Sequence, residues 1–175
     1  MSLDPKTSTL AEAQEWLRKR LDEGAKCPCC KQHAKIYKRK LNSGMAASLI
    51  AFAKVTQQTQ PKDGWLKVPD DFVTTTKLVT VLGNREYNKL KHWGLLEGQS
   101  PDQSLEADTP FTGMWRITEL GLKFVRNEVR VARHVYLYDN RQMKGPTNGV
   151  VEEIDIKQAL GDKFNYAELM ESASS

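Results

Sequence analysis

LVTVLGNREYNKLKHWGLLEG (Leu78–Gly98), followed after a polar insert by GMWRITELG (Gly113–Gly121), decides how the chain is read. Leu78, Val79 and Leu82 make a short apolar helix that Thr75 or Thr76 can cap. Gly83 ends it, because glycine takes the left-handed conformation that a sharp turn between helices requires. Asn84 caps the next helix and Glu86 sits in its first turn, where the helix dipole favours an acid. Tyr87 and Leu90 point inward, and Gly94 closes the helix before Leu95 and Leu96. Arg85, Asn88, Lys89 and His92 fall at i, i+3, i+4 and i+7, one stripe of an α-helix. A strand, a loop, a second strand and a closing helix follow. That last helix starts at Thr118 and turns Leu120, Phe124 and Val125 inward.

The stripe carries side chains that read a major groove. Arginine pairs bidentately with guanine, asparagine with adenine, and lysine contacts guanine or phosphate. The phrases LKHWGLLE and WRITELGLKFV resemble the recognition helix, wing and following helix of bacterial winged helix-turn-helix regulators, over about Ser43 to Arg130. The resemblance implies a winged-helix fold and double-stranded DNA as partner, with Arg85, Asn88, Lys89 and His92 in the groove. One departure bears on the partner. The wing loop from Glu97 to Thr112 holds Glu97, Asp102, Glu106 and Asp108 and no lysine or arginine. Phosphate repels such a loop. Either the wing swings clear of DNA, or the module captures a host protein.

Working outward, Asn42 or Ser43 caps a helix in which Met45, Ala46, Leu49, Ile50 and Ala53 form an apolar stripe reaching about Thr56. Trp65 to Val68 reads as a short strand before Pro69. Near the N-terminus, Thr9 and Glu12 make a capping box. Leu10, Ala13, Trp16, Leu17 and Leu21 then recur at helical spacing until Gly24. That stripe packs on the core or, alternatively, forms the surface of a homodimer.

Between these helices lies GAKCPCCKQHAKIYKRKLN (Gly24–Asn42). Cys27 and Cys30 are spaced C-x2-C, which aims two thiolates at one tetrahedral ion. The Cys-Pro start resembles zinc-ribbon knuckles, and KIYKRK alternates like a ribbon strand. Structural Zn2+ is therefore the expected cofactor, with His33 and Cys29 as further ligands and His92 and His134 as remote options. Ribbon knuckles place glycine after the second cysteine, where Lys31 stands, and no second C-x2-C follows. From Lys26 to Lys40 the chain carries Lys26, Lys31, Lys35, Lys38, Arg39 and Lys40 and no acid. Lys35, Lys38, Arg39 and Lys40 are the expected phosphate contacts.

After the closing helix, VYLYDNRQMKG reads as a hairpin turning at Asp139-Asn140. Gly145 to Ser175 carries six acids against Lys157 and Lys163, with helix starts at Asp155 and Asn165. This end resembles small phage and prophage proteins with an early Cys-Pro-x-Cys.

The 175 residues, with 39% hydrophobic and 27% charged, suffice for a core. No run approaches the roughly 18 apolar residues of a membrane span, and no signal peptide is readable, so the expected location is the cytoplasm. P-loop, dinucleotide-turn, nucleophile-elbow and HExxH motifs are missing, so no enzyme is expected. The expected class is α+β: a winged helix-turn-helix core with an N-terminal helix, a zinc-ribbon-like hairpin, a C-terminal β-hairpin and short helices. The expected segments are 1–24, 25–42, 43–130 and 131–175.

Overall fold

The computed structural model describes residues 3–68, 86–99, 113–138, 141–143 and 151–171. In chain order they form α1 (Leu10–Arg18), β1 (Ala25–Lys26), β2 (His33–Ala34), β3 (Tyr37–Lys40), α2 (Ser43–Thr59), β4 (Leu66–Lys67) and a 3-10 helix (Glu86–Trp93). Then come β5 (Leu96–Gly98), β6 (Met114–Ile117), α3 (Glu119–Val125), β7 (Val131–Ala132), β8 (His134–Tyr138) and β9 (Arg141–Met143). Last are β10 (Glu153–Ile154), α4 (Ile156–Leu160) and α5 (Tyr166–Glu171). The chain is α+β with several small sheets. It divides into two compact units: Met1–Arg39 with Val135–Gly149, and Lys40–His134 with Val150–Ser175. The expected helix from Thr75 to Leu82, the Gly83-Asn84 turn and Arg85 lie outside the described residues, as do most of the wing loop and the Asp139-Asn140 turn.

The larger unit is built around α2. Asn42 caps it by accepting the Met45 N–H at 2.9 Å on Oδ1, while its Nδ2 donates to Glu86 at 2.6 Å. One polar side chain thus ties the start of α2 to the start of the 3-10 helix. The expected one-sided stripe is corrected: Met45 through Phe52, Lys54 and Val55 are all buried. A helix that is apolar on all sides is a central helix, and α2 packs against the 3-10 helix, β6, α3, α4 and α5. It also runs three residues beyond Thr56. The Thr56 and Thr59 hydroxyls donate to the Phe52 and Val55 carbonyls at 2.7 Å each, which satisfies those hydroxyls inside the helix. Lys54 is only 4% exposed, and burial pulls its ammonium below the usual lysine range.

Three antiparallel strands lie in the order β4–β6–β5, with Leu66 opposite Trp115 and Leu96 opposite Ile117. Alternation sends Leu66, Leu96, Trp115 and Ile117 into the core. Thr118 joins the sheet to α3. Its hydroxyl accepts the Gly121 N–H at 3.0 Å and donates to the Gly94 carbonyl at 2.6 Å. Gly121 is the residue that lets α3 come so close, since a Cβ there would run into the Leu95 carbonyl and lie 2.8 Å from Ile117.

The acid-bearing C-terminal segment is a structural part of this unit. β10 pairs with β7, Asp155 and Gln158 form a reciprocal capping box, and Ile154, Ile156, Ala159 and Leu160 are buried. Tyr166 in α5 donates to the Val125 carbonyl at 2.8 Å.

In the smaller unit, α1 starts with the reciprocal Thr9–Glu12 capping box. It ends at Arg18, earlier than its stop at Gly24 implied. Ala13 and Leu21 are buried, but Leu10 is 66% exposed, so the expected packing of the whole stripe is corrected. β1 and β2 form a hairpin with Ala25 opposite Ala34 and Lys26 opposite His33. The strand KIYKRK does not belong to that hairpin: Tyr37–Lys40 joins β8 and β9 in a separate sheet ordered β3–β8–β9. The β8–β9 hairpin has the expected register, with Tyr138 opposite Arg141.

Candidate nucleic-acid interface and cysteine turn

The helix expected to read DNA is wound as a 3-10 helix from Glu86 to Trp93. That changes which residues share a face. At three residues per turn, side chains three apart eclipse. Tyr87, Leu90 and Trp93 therefore form one row, and it is the row facing the core. Leu90 and Trp93 are buried, while Tyr87 packs 5.7 Å from the rings of both Phe52 and Trp115. Trp93 also donates its indole N–H to the Ala132 carbonyl at 2.6 Å. The single α-helical stripe is accordingly corrected to two rows. Asn88 lies on one with Lys91, and Lys89 and His92 lie on the other with Glu86. All five are half-buried.

The helix leads through Gly94 into β5, where Glu97 stands directly opposite Arg116 on β6. Arg116 Nε donates to the Glu97 carboxylate at 2.5 Å, and Nη1 donates to the Asp63 carbonyl at 3.0 Å. The guanidinium also stacks on Trp65, 4.4 Å from the ring centroid. Arg116 of β6 is therefore engaged beside its own sheet. Sequence reasoning missed this cluster, because Trp65 and Arg116 are joined only by the β4–β6 pairing.

The cysteine turn sits between β1 and β2. Cys27 N–H donates to the Gln32 carbonyl at 2.8 Å, and Lys31 N–H donates to the Cys27 carbonyl at 3.0 Å. Lys31 has φ +65°, the left-handed conformation that ribbon knuckles give to glycine. For a non-glycine residue this costs roughly 1–2 kcal/mol, offset in part because Lys31 Nζ donates to the Pro28 carbonyl at 3.0 Å. The missing glycine thus does not prevent the turn.

The backbone N–H of Cys30, then that of Cys29, donate to the Cys27 sulfur and hold its thiol below the usual range. The Cys30 thiol adds to this and burial opposes it. Cys27, Cys30 and His33 line one cavity of about 340 Å3, together with Lys35, Tyr37 and Tyr138. The His33 ring lies against Gly24, where a Cβ would approach Nε2 to 2.9 Å. The turn thus brings Cys27 and Cys30 to the wall of one cavity. Among the described residues, no three or more histidine, cysteine or acidic side chains are gathered in metal-holding geometry. Cys29 and Cys30 are exposed, Cys27 is half-buried, and His92 and His134 belong to the other unit.

Of the expected phosphate contacts, Lys38, Arg39 and Lys40 are exposed on β3 and Lys35 is half-buried. Lys35, Lys38 and Arg39 fall in the smaller unit, and Lys40 begins the larger one. No helix of the described residues is long and apolar enough to cross a membrane. Comparison with protein-family models, with curated proteins and with solved structures finds no significant match.

Proposed function

We propose that the chain is a non-enzymatic winged-helix protein that binds double-stranded DNA, in the manner of a phage or bacterial regulator or accessory factor. The observation that carries this reading is the sheet order β4–β6–β5, with a helix packed on α2 and leading straight into β5. That is the strand order of a winged helix, in which a short strand precedes the helix-turn-helix and pairs with the far strand of the wing. Asn88, Lys89 and His92, with Arg85, supply base-edge and phosphate contacts. Lys35, Lys38, Arg39 and Lys40 add sequence-independent attraction to phosphate, the term that dominates non-specific affinity. Zinc at Cys27 and Cys30, completed by His33 or Cys29, would staple the β1–β2 turn.

A second reading is favoured by the Arg116–Glu97 pair. The wing base spends its arginine internally, and its loop is acidic, which suits capture of a host protein with a basic surface. Duplex mobility shifts, with pull-downs repeated after nuclease treatment, separate the two. A salt-sensitive duplex shift supports DNA binding. A protein partner retained after nuclease, with no duplex shift, supports the second reading instead.

A further inference from the structure

The smaller unit carries a surface of a different kind. Tyr37 and Tyr138 line the cavity beside the cysteine turn, and Tyr37 is 55% exposed. Tyr37 stands on β3, an outer strand of its sheet whose four residues are all exposed. Five cations, Lys26, Lys31, Lys35, Lys38 and Arg39, occur between Ala25 and Arg39 with no acid among them. An exposed tyrosine ring offers a flat apolar face on which a partner's ring can stack. Lys35 lines the same cavity, and this basic run of the chain favours an anionic partner.

We infer that this surface takes an unpaired nucleic-acid strand: a base stacks on Tyr37 beside the cavity, and Lys35 and Arg39, which alternation puts on the same side of the chain as Tyr37, neutralise the phosphates. A duplex keeps its bases stacked inside and offers a tyrosine only phosphates, whereas a single strand offers the π-face of every base. The cavity, about 340 Å3, is at the small end of ligand pockets and suits one flat ring system. This surface shares its cations with the duplex reading, but Tyr37 has no part in that reading, so a Tyr37 variant separates the two.

The test is fluorescence anisotropy of the whole chain with labelled oligothymidylate, and with oligouridylate to cover the ribose form. Salt-sensitive binding to at least one is expected. Tyr37→Ala should weaken it about tenfold or more, since stacking is worth roughly 1–3 kcal/mol per base, while Tyr37→Phe keeps the ring and stays near wild type. Duplex affinity should not change with Tyr37→Ala. Three outcomes overturn the proposal: no binding to either strand, Tyr37→Ala indistinguishable from wild type, or polyglutamate competing as well as the oligonucleotides.

Discussion

Arg116 and Glu97 face each other across β5 and β6, with Nε 2.5 Å from the carboxylate and the guanidinium stacked on Trp65. Both side chains are more than a third exposed, so the pair contributes little to stability, about 0–1 kcal/mol. Its consequence lies in the field it presents to a partner. Glu97→Gln removes one negative charge from β5 and, on the duplex reading, should raise duplex affinity about twofold to fivefold, with a steeper salt dependence. Anisotropy titrations at several salt concentrations measure this. Weaker duplex binding by the variant would show that Glu97 itself supports the complex.

Gly121 sets the approach of α3 to the strand before it. Alanine would gain roughly 1 kcal/mol of helix propensity. It would also place a methyl group against the Leu95 carbonyl, which is backbone and cannot rotate away. The clash wins, and Gly121→Ala should destabilise the chain by about 2–4 kcal/mol in urea unfolding. A variant as stable as wild type would mean that α3 can shift freely on the sheet.

Lys54 gives a pH dependence with a definite sign. Burial lowers its pKa in the folded chain below the ordinary 10.5. The unfolded chain then holds the proton to higher pH, so this residue's contribution makes stability rise with pH in the window below 10.5. Lys54→Met removes that contribution. Urea midpoints of the two proteins should therefore show wild type gaining on Lys54→Met as pH rises towards 10.5. Parallel pH profiles would contradict the burial argument.

The cysteine turn predicts roughly one zinc ion per chain purified without chelator, falling sharply in Cys27→Ser. Because site assembly is coupled to local folding, chelation should also speed amide exchange in the β1–β2 hairpin. Metal-free protein with an unchanged, protected hairpin would leave the cysteines as hydrogen-bonded thiols.

Much of the secondary structure was legible because its signals are local. The Thr9–Glu12 and Asp155 caps, the Asn42 cap, a strand inside Trp65–Val68 (Leu66–Lys67) and the β8–β9 register all follow from neighbouring residues. What escaped depends on contacts between distant segments. α2 looked amphipathic because its polar-looking side, with Ala47, Ser48 and Ala51, is made of small residues that let neighbours close in. The 3-10 winding at Glu86 was hidden because Tyr87, Leu90 and Trp93 satisfy a three-residue repeat, while the polar residues between them also satisfy an α-helical one. In the sequence Tyr37 is only one residue of an alternating strand. Its place beside Tyr138 depends on a pairing across about a hundred residues of chain.

The central claim is that the helix ending at Trp93 meets a DNA duplex. The most direct measurement is duplex affinity of the whole chain against the Arg85→Ala/Lys89→Ala variant, at matched salt and with thermal unfolding as a control. The account predicts salt-sensitive binding by wild type and a loss of about tenfold or more in the variant, with unfolding unchanged. Equal affinity of the two proteins, or no duplex binding by wild type, would contradict it.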